Sequence, residues 1–146
     1  MADHIPLELE HFLPYRLSIL SNRISQAIAR EYQGRFGLTM TEWRVMAVLA
    51  RFDDHGISAR EVASCTEMDK VAVSRALASL VASKRVTRRM HEADKRRSVL
   101  RLSAAGWKVH DKVAPLARTH EREILAALSA QERRMLERIL DKLAPV

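Results

Sequence analysis

Residues 58–102 read SAREVASCTEMDKVAVSRALASLVASKRVTRRMHEADKRRSVLRL, and this stretch decides the fold. Ser58 and Glu61 have capping-box spacing, in which hydroxyl and carboxylate each satisfy a free backbone N–H at a helix start. They predict a short helix to about Cys65. Thr66–Met68 reads as a turn. Asp69 is a cap for a second helix to about Ser83, with Val73, Leu77, Leu80 and Val81 facing inward. Short helix, tight turn, longer helix is the helix-turn-helix layout. Val86–Met90 and Ser98–Leu102 then read as two strands joined by a polar, basic loop. A helix-turn-helix followed by such a ribbon is a winged helix.

The charge is focused on the same stretch. Lys70–Arg101 carries ten Lys or Arg against two acids, Glu92 and Asp94, a net charge of +8. The whole chain is +7, so everything outside this window sums to −1. Focused positive charge is the footprint of a nucleic-acid-binding surface, with a merely solvated basic face as the plainer alternative. In a helix-turn-helix the start of the second helix enters the major groove. Here it presents Lys70, Val71, Ser74 and Arg75. Arg75 can pair bidentately with guanine, and Val71 can pack on a thymine methyl. Ser74 suits a phosphate or a base edge, and Lys70 a phosphate. Lys84, Arg88 and Arg89, with Arg85, bring further charge to the ribbon for phosphate contacts. The tip, Asp94-Lys95-Arg96-Arg97, is basic and narrow enough for a minor groove. Asp94 would repel phosphate, so its expected part is to orient Arg96 through a charge-assisted hydrogen bond.

Working outward, 146 residues at 47% hydrophobic suit a single domain with a real core. There is no run of eighteen apolar residues and no basic-then-apolar leader pattern at the N-terminus, so no membrane span or secretory signal is expected. Cys65 is the only cysteine and excludes an intrachain disulfide framework. A cytoplasmic location is the default expectation. Beside Val62 and Ala63, Cys65 itself is expected to be a buried structural thiol.

Upstream, Leu13, Leu17, Leu20, Ile24 and Ile28 predict a helix over 9–33, with Pro14 near its front and Gly34–Gly37 stopping it. Thr39 and Glu42 repeat the capping-box spacing and open a helix with Trp43, Val45, Met46 and Leu49. That helix ends before Asp53–Gly56, after which Ile57 reads as a single bridging strand residue. Downstream, Ser103 caps a helix to about Leu128, with Pro115 inside it and expected to kink it. Ser129 and Glu132 open a last helix carrying Met135, Leu136, Ile139, Leu140 and Leu143. The expected architecture is mainly α: one winged-helix domain over 1–146, with a DNA-binding head at 38–102. Stretches 9–33 and 104–144 are dimerisation helices, because a small head cannot cover three long apolar stripes. A purely intrachain bundle is the plainer alternative.

The stretch from Asp94 to Gly106, DKRRSVLRLSAAG, resembles the wing signature of the MarR family of bacterial transcriptional regulators. That signature has an acid, any residue, an arginine, a strand ending in Leu-Ser or Leu-Thr, and a glycine three residues on. Ser74–Arg75 and Leu80 match the family's recognition-helix pattern, and the helix order matches over nearly the whole chain. The resemblance implies a homodimer on a near-palindromic DNA operator. It further implies a repressor released by a small molecule seated between the dimerisation helices and the head. Arg96 matches the family's minor-groove arginine and Asp94 the acid that steadies it. The family commonly has Lys-Gly where this chain has Lys84–Arg85. Arg85 is therefore expected to carry some backbone strain or to take another turn.

For the implied effector, Tyr15, Arg16, Arg23, Trp43 and Met46 combine aromatic walls, a soft filler and cations. That set suits an aromatic carboxylate or its acyl thioester. Trp43 and Met46 read equally as core, and Arg16 as a salt-bridge member. No cysteine lies near the N-terminus to sense peroxide. His4, His11, His55, His91, His110 and His120 lack the short spacing of a zinc site, so no metal or cofactor is expected. No catalytic constellation appears, and an enzyme is not expected. The competing reading is an architectural nucleic-acid-binding protein without ligand response.

Overall fold

The computed structural model describes residues 4–90, 93 and 97–144. After a single 3-10 turn at Leu9–His11 come α1 (Leu13–Phe36), α2 (Met40–Arg51), α3 (Ala59–Thr66) and α4 (Lys70–Ala82). The ribbon β1 (Val86–Met90) and β2 (Ser98–Leu102) follows, then α5 (Ala104–Leu125) and α6 (Ala130–Leu143).

Local chemistry sets these boundaries. At α3 and α6 the capping box is complete, with Ser58 paired to Glu61 and Ser129 to Glu132. At α2 only half of it forms. Thr39 Oγ1 accepts from the Glu42 N–H at 3.1 Å, but the Glu42 carboxylate turns inward. There it accepts from Ser79 Oγ on α4 at 3.5 Å. Pro14 sits in the first turn of α1, where its missing N–H costs nothing. Gly34 does not stop that helix. Gly37 does, in a left-handed conformation at φ 63°. α5 passes Pro115 as one continuous element and closes at Leu125, three residues before the expected end.

The two strands pair antiparallel with Val86 opposite Leu102 and Arg88 opposite Leu100. Ile57 adds the expected bridge to Leu100. The turn before it needs Gly56, at φ 70°, because a Cβ there would fall 2.5 Å from Val99 Cγ1. The core gathers Val45, Met46 and Leu49 of α2, Val62 of α3, Val73, Leu77 and Leu80 of α4, and Leu100 and Leu102 of β2. Burying each such side chain stabilises the head by about 1.5–3 kcal/mol. From the flanking arms, α1 on one side and α5 with α6 on the other, Ala29, Tyr32 and Val113 join the buried hydrophobic cluster.

Ile28, Phe36, Trp107 and Val109 pack partly against that cluster, while the outer parts of the arms are bare. Leu13, Leu17 and Leu20 of α1 are 44–55% exposed, and α6 buries no residue at all. Met135, Leu136, Ile139, Leu140 and Leu143 line that last helix in the open. An apolar cavity of about 420 Å³ lies among α1, α5 and α6, against Ile24, Ile28, Ile124 and Leu136. No helix among the described residues is long and apolar enough to cross a membrane.

Cys65 departs from expectation, because its thiol is exposed. Val62 and Ala63 define the buried face of α3. At 100° per residue, Cys65 lies roughly 110° from the centre of that face, whereas Thr66 returns close to it.

Candidate nucleic-acid interface

Asp69 starts the helix that matters most here, its Oδ2 accepting from the Ala72 N–H at 3.1 Å. The cap sets where α4 starts, and packing of its apolar face sets its rotation. Val73, Ala76, Leu77 and Leu80 go into the core, while Lys70, Val71, Ser74 and Arg75 stand exposed on the opposite face. Val71, an apolar residue, is 55% exposed. A groove between α3 and α4 is lined by Arg60, Ala63, Lys70 and Ser74, so α3 brings its own cation to the start of α4.

The other end of the same surface is the root of the wing. Arg97 and Ser98 line a cavity with His55, Ser58 and Glu61 at the N-terminus of α3. The Glu61 carboxyl is held below the usual carboxylate range. The Ser58 N–H does most of this, then the Ser58 hydroxyl, with the charges of Arg97 and His55 adding to it. The N-terminus of α3 therefore borders both the exposed face of α4 and the base of the wing. Lys84, Arg88 and Arg89 are exposed on or just before β1. Asp94, Lys95 and Arg96, expected at the wing tip, lie outside the described residues.

The MarR family model matches residues 36–97, the segment that holds this surface. A MarR/EmrR-family regulator from Acinetobacter sp. ADP1 superimposes with a TM-score of 0.83 at 26% identity. The match covers 94% of this chain and 95% of that one. The fold is that of MarR-family regulators, and residues 36–97 carry the family's sequence pattern. A MarR-family regulator from Silicibacter pomeroyi is 25% identical over 94% of both chains, with a TM-score of 0.72. The MepR–DNA complex of S. aureus shares the fold, with a TM-score of 0.81 at 19% identity over 92% of this chain and 95% of that one. In sequence, the transcriptional regulator BilQ of Clostridium symbiosum is 32% identical over 88 residues, 60% of this chain. That alignment spans 61% of the relative's length.

Several features of this surface escape the sequence pattern. Arg60 falls outside the basic window that begins at Lys70, and only the crossing of α3 over α4 brings it to the surface. The positive φ at the end of α4 belongs to Lys84, at 61°, and not to Arg85. Lys84 N–H bonds back to the Val81 carbonyl at 3.0 Å and Arg85 N–H to the Leu80 carbonyl at 2.9 Å, a Schellman turn with lysine in the place that favours glycine. Gly106 is needed for a different reason. Its position abuts the Arg85 carbonyl so closely that a Cβ would collide with the oxygen.

The five residues expected to hold an effector are not brought together within one chain. Met46 is fully buried in the head. Trp43 sits in an aromatic chain: its ring centroid is 6.0 Å from that of Tyr32 and 5.7 Å from His110, which lies 5.1 Å from Trp107. Along α1 at 1.5 Å per residue, Tyr15 is about 26 Å and Arg23 about 14 Å from Tyr32. Tyr15, Arg16 and Arg23 are all exposed on that helix. The cation beside the aromatic chain is Arg44, which donates to Ser25 Oγ at 2.8 Å. Its charge opposes the stronger effect of burial, which pushes the Tyr32 hydroxyl pKa up. No group of three or more metal-ligating side chains occurs among the described residues.

Proposed function

We propose that this chain is a sequence-specific DNA-binding transcriptional regulator that works as a homodimer. One observation carries the reading: the start of α3 lines a groove with Lys70 and Ser74 of α4 and a second cavity with Arg97 and Ser98 at the root of the wing. In this reading α4 enters the major groove, with Arg75 on a guanine and Lys70 and Arg60 on phosphates. The wing lies over the adjacent minor groove, Arg96 inserted and Asp94 steadying it. The bare leucines of α1 and the apolar face of α6 support pairing of two chains through their arms. Two heads held this way read a near-palindromic operator. Repression is released by a small aromatic acid or its thioester that prefers a different separation of the heads. The aromatic chain through Trp43, where α1, α2 and α5 meet, supports a site at that junction, with Arg44 supplying the cation.

The test is selection of duplexes from a random pool by the full-length protein, followed by affinity measured over a salt series. A two-fold-symmetric consensus and a log–log salt slope of about −5 or steeper are expected. An architectural protein would instead enrich no consensus and bind unrelated duplexes with similar affinity.

A further inference from the structure

Head and arms are joined by two stretches of backbone, 36–40 between α1 and α2 and 102–104 between β2 and α5. Both meet at Arg85. Its Nη2 donates to the carbonyl of Phe36, the last residue of α1, at 2.7 Å. A helix end leaves that carbonyl without an internal donor, and a cation there complements the helix dipole. The carbonyl of Arg85 accepts from the N–H of Ser103, the cap of α5, at 3.0 Å. The Ser103 hydroxyl donates to the neighbouring Lys84 carbonyl at 2.6 Å. Gly106, in the first turn of α5, seats directly on the Arg85 carbonyl. The N–H of Arg85 closes the end of α4. One residue thus ties the recognition helix, the ribbon and the roots of both arms. Its half-buried position shields the Phe36 bond from counterions.

We infer that Arg85 is a positioning residue that locks the angle between head and arms, and so sets the operator half-site spacing the dimer accepts. This rests on the dimeric DNA-binding reading above. Two recognition helices must meet major grooves about 34 Å apart, so a small rotation at each joint shifts the heads by a distance the DNA registers. A stiff joint rejects wrong spacings. A loose joint tolerates them and binds the right one less tightly, because the ordering happens on the DNA.

The experiment takes an operator enriched from random duplexes by the wild-type protein and makes versions with one base pair inserted or removed between half-sites. Affinities are measured for wild type, Arg85→Met and Arg85→Lys. Wild type should lose about tenfold or more on the respaced operators. Arg85→Met should bind the original operator more weakly yet lose only about threefold on respacing. Arg85→Lys, which keeps a cationic donor on a side chain one bond shorter, should recover part of the discrimination. An Arg85→Met protein with the full wild-type spacing penalty overturns the inference, whatever its affinity or melting temperature. That pattern is what a merely stabilising or phosphate-contacting arginine gives. If Arg85→Met does not fold, Arg85→Gln is read the same way. If wild type enriches no operator at all, the DNA-binding reading fails first, and this inference falls with it.

Discussion

Arg75 and Lys84 carry similar charge for different reasons. Arg75 is exposed on a helix whose opposite face is locked in the core, so its direction is fixed by packing it does not share. Arg75→Ala should cost about 1–3 kcal/mol of operator binding and relax preference at one base position. Competition assays with single-base operator variants check this, and equal loss on operator and random DNA counts against base contact. Lys84 holds φ 61° without being glycine. Lys84→Gly should stabilise the fold by about 0.5–1 kcal/mol, read as a higher denaturation midpoint. The same change should weaken DNA binding and lower the salt slope by about one unit. Such residue-scale conflicts are hard to see in a sequence. The glycine missing at 84–85 was legible, but which of the two residues takes the strain depends on where α4 closes its last turn.

Among the elements, α3 ties folding to charge. Its capping box places the Glu61 carboxylate against the Ser58 N–H at 2.7 Å and beside the wing root. Because the folded state lowers the Glu61 pKa, the unfolded chain binds the proton more readily. The stabilisation is therefore present above the ordinary carboxylate range and is lost as pH falls through the lowered value. Glu61→Gln keeps a capping partner but removes the charge. Urea midpoints taken between pH 7 and pH 3 should fall less steeply for this variant than for wild type. Parallel curves would mean that the carboxylate contributes only geometry. The elements themselves were largely legible. Caps at Ser58, Asp69, Ser103 and Ser129, and the two short strands on either side of a polar, basic loop, are local signals that tertiary packing did not override. What stayed hidden was long-range. The sequence window stopped short of Arg60, the bond from Arg85 to Phe36 spans 49 residues, and the exposure of Cys65 depends on the rotation of a two-turn helix. The spread of the expected effector residues along one chain was hidden for a related reason. Similar chemistry at positions 15, 23, 43 and 46 says nothing of how far a 24-residue helix carries its ends apart.

At the scale of the molecule, a well-filled head sits on arms that one chain cannot cover. Replacing two neighbours on the bare stripe, Leu136→Glu with Ile139→Glu, should leave the head folded while the sedimentation coefficient drops to that of a protomer. Operator affinity should then fall by about a hundredfold or more, since two linked half-sites become two separate encounters. A double variant that still sediments as a dimer would place the contact elsewhere on the arms. The uncovered α6 also has a corollary for gene dosage. Below the pairing constant, dimer abundance rises with the square of protomer abundance, so operator occupancy changes more steeply than expression does. A promoter repressed in this way would switch over a narrower range of regulator level than one held by a monomeric binder. Titrating the regulator from an inducible plasmid against a reporter would display that steepness, and the Leu136→Glu/Ile139→Glu protein would flatten it.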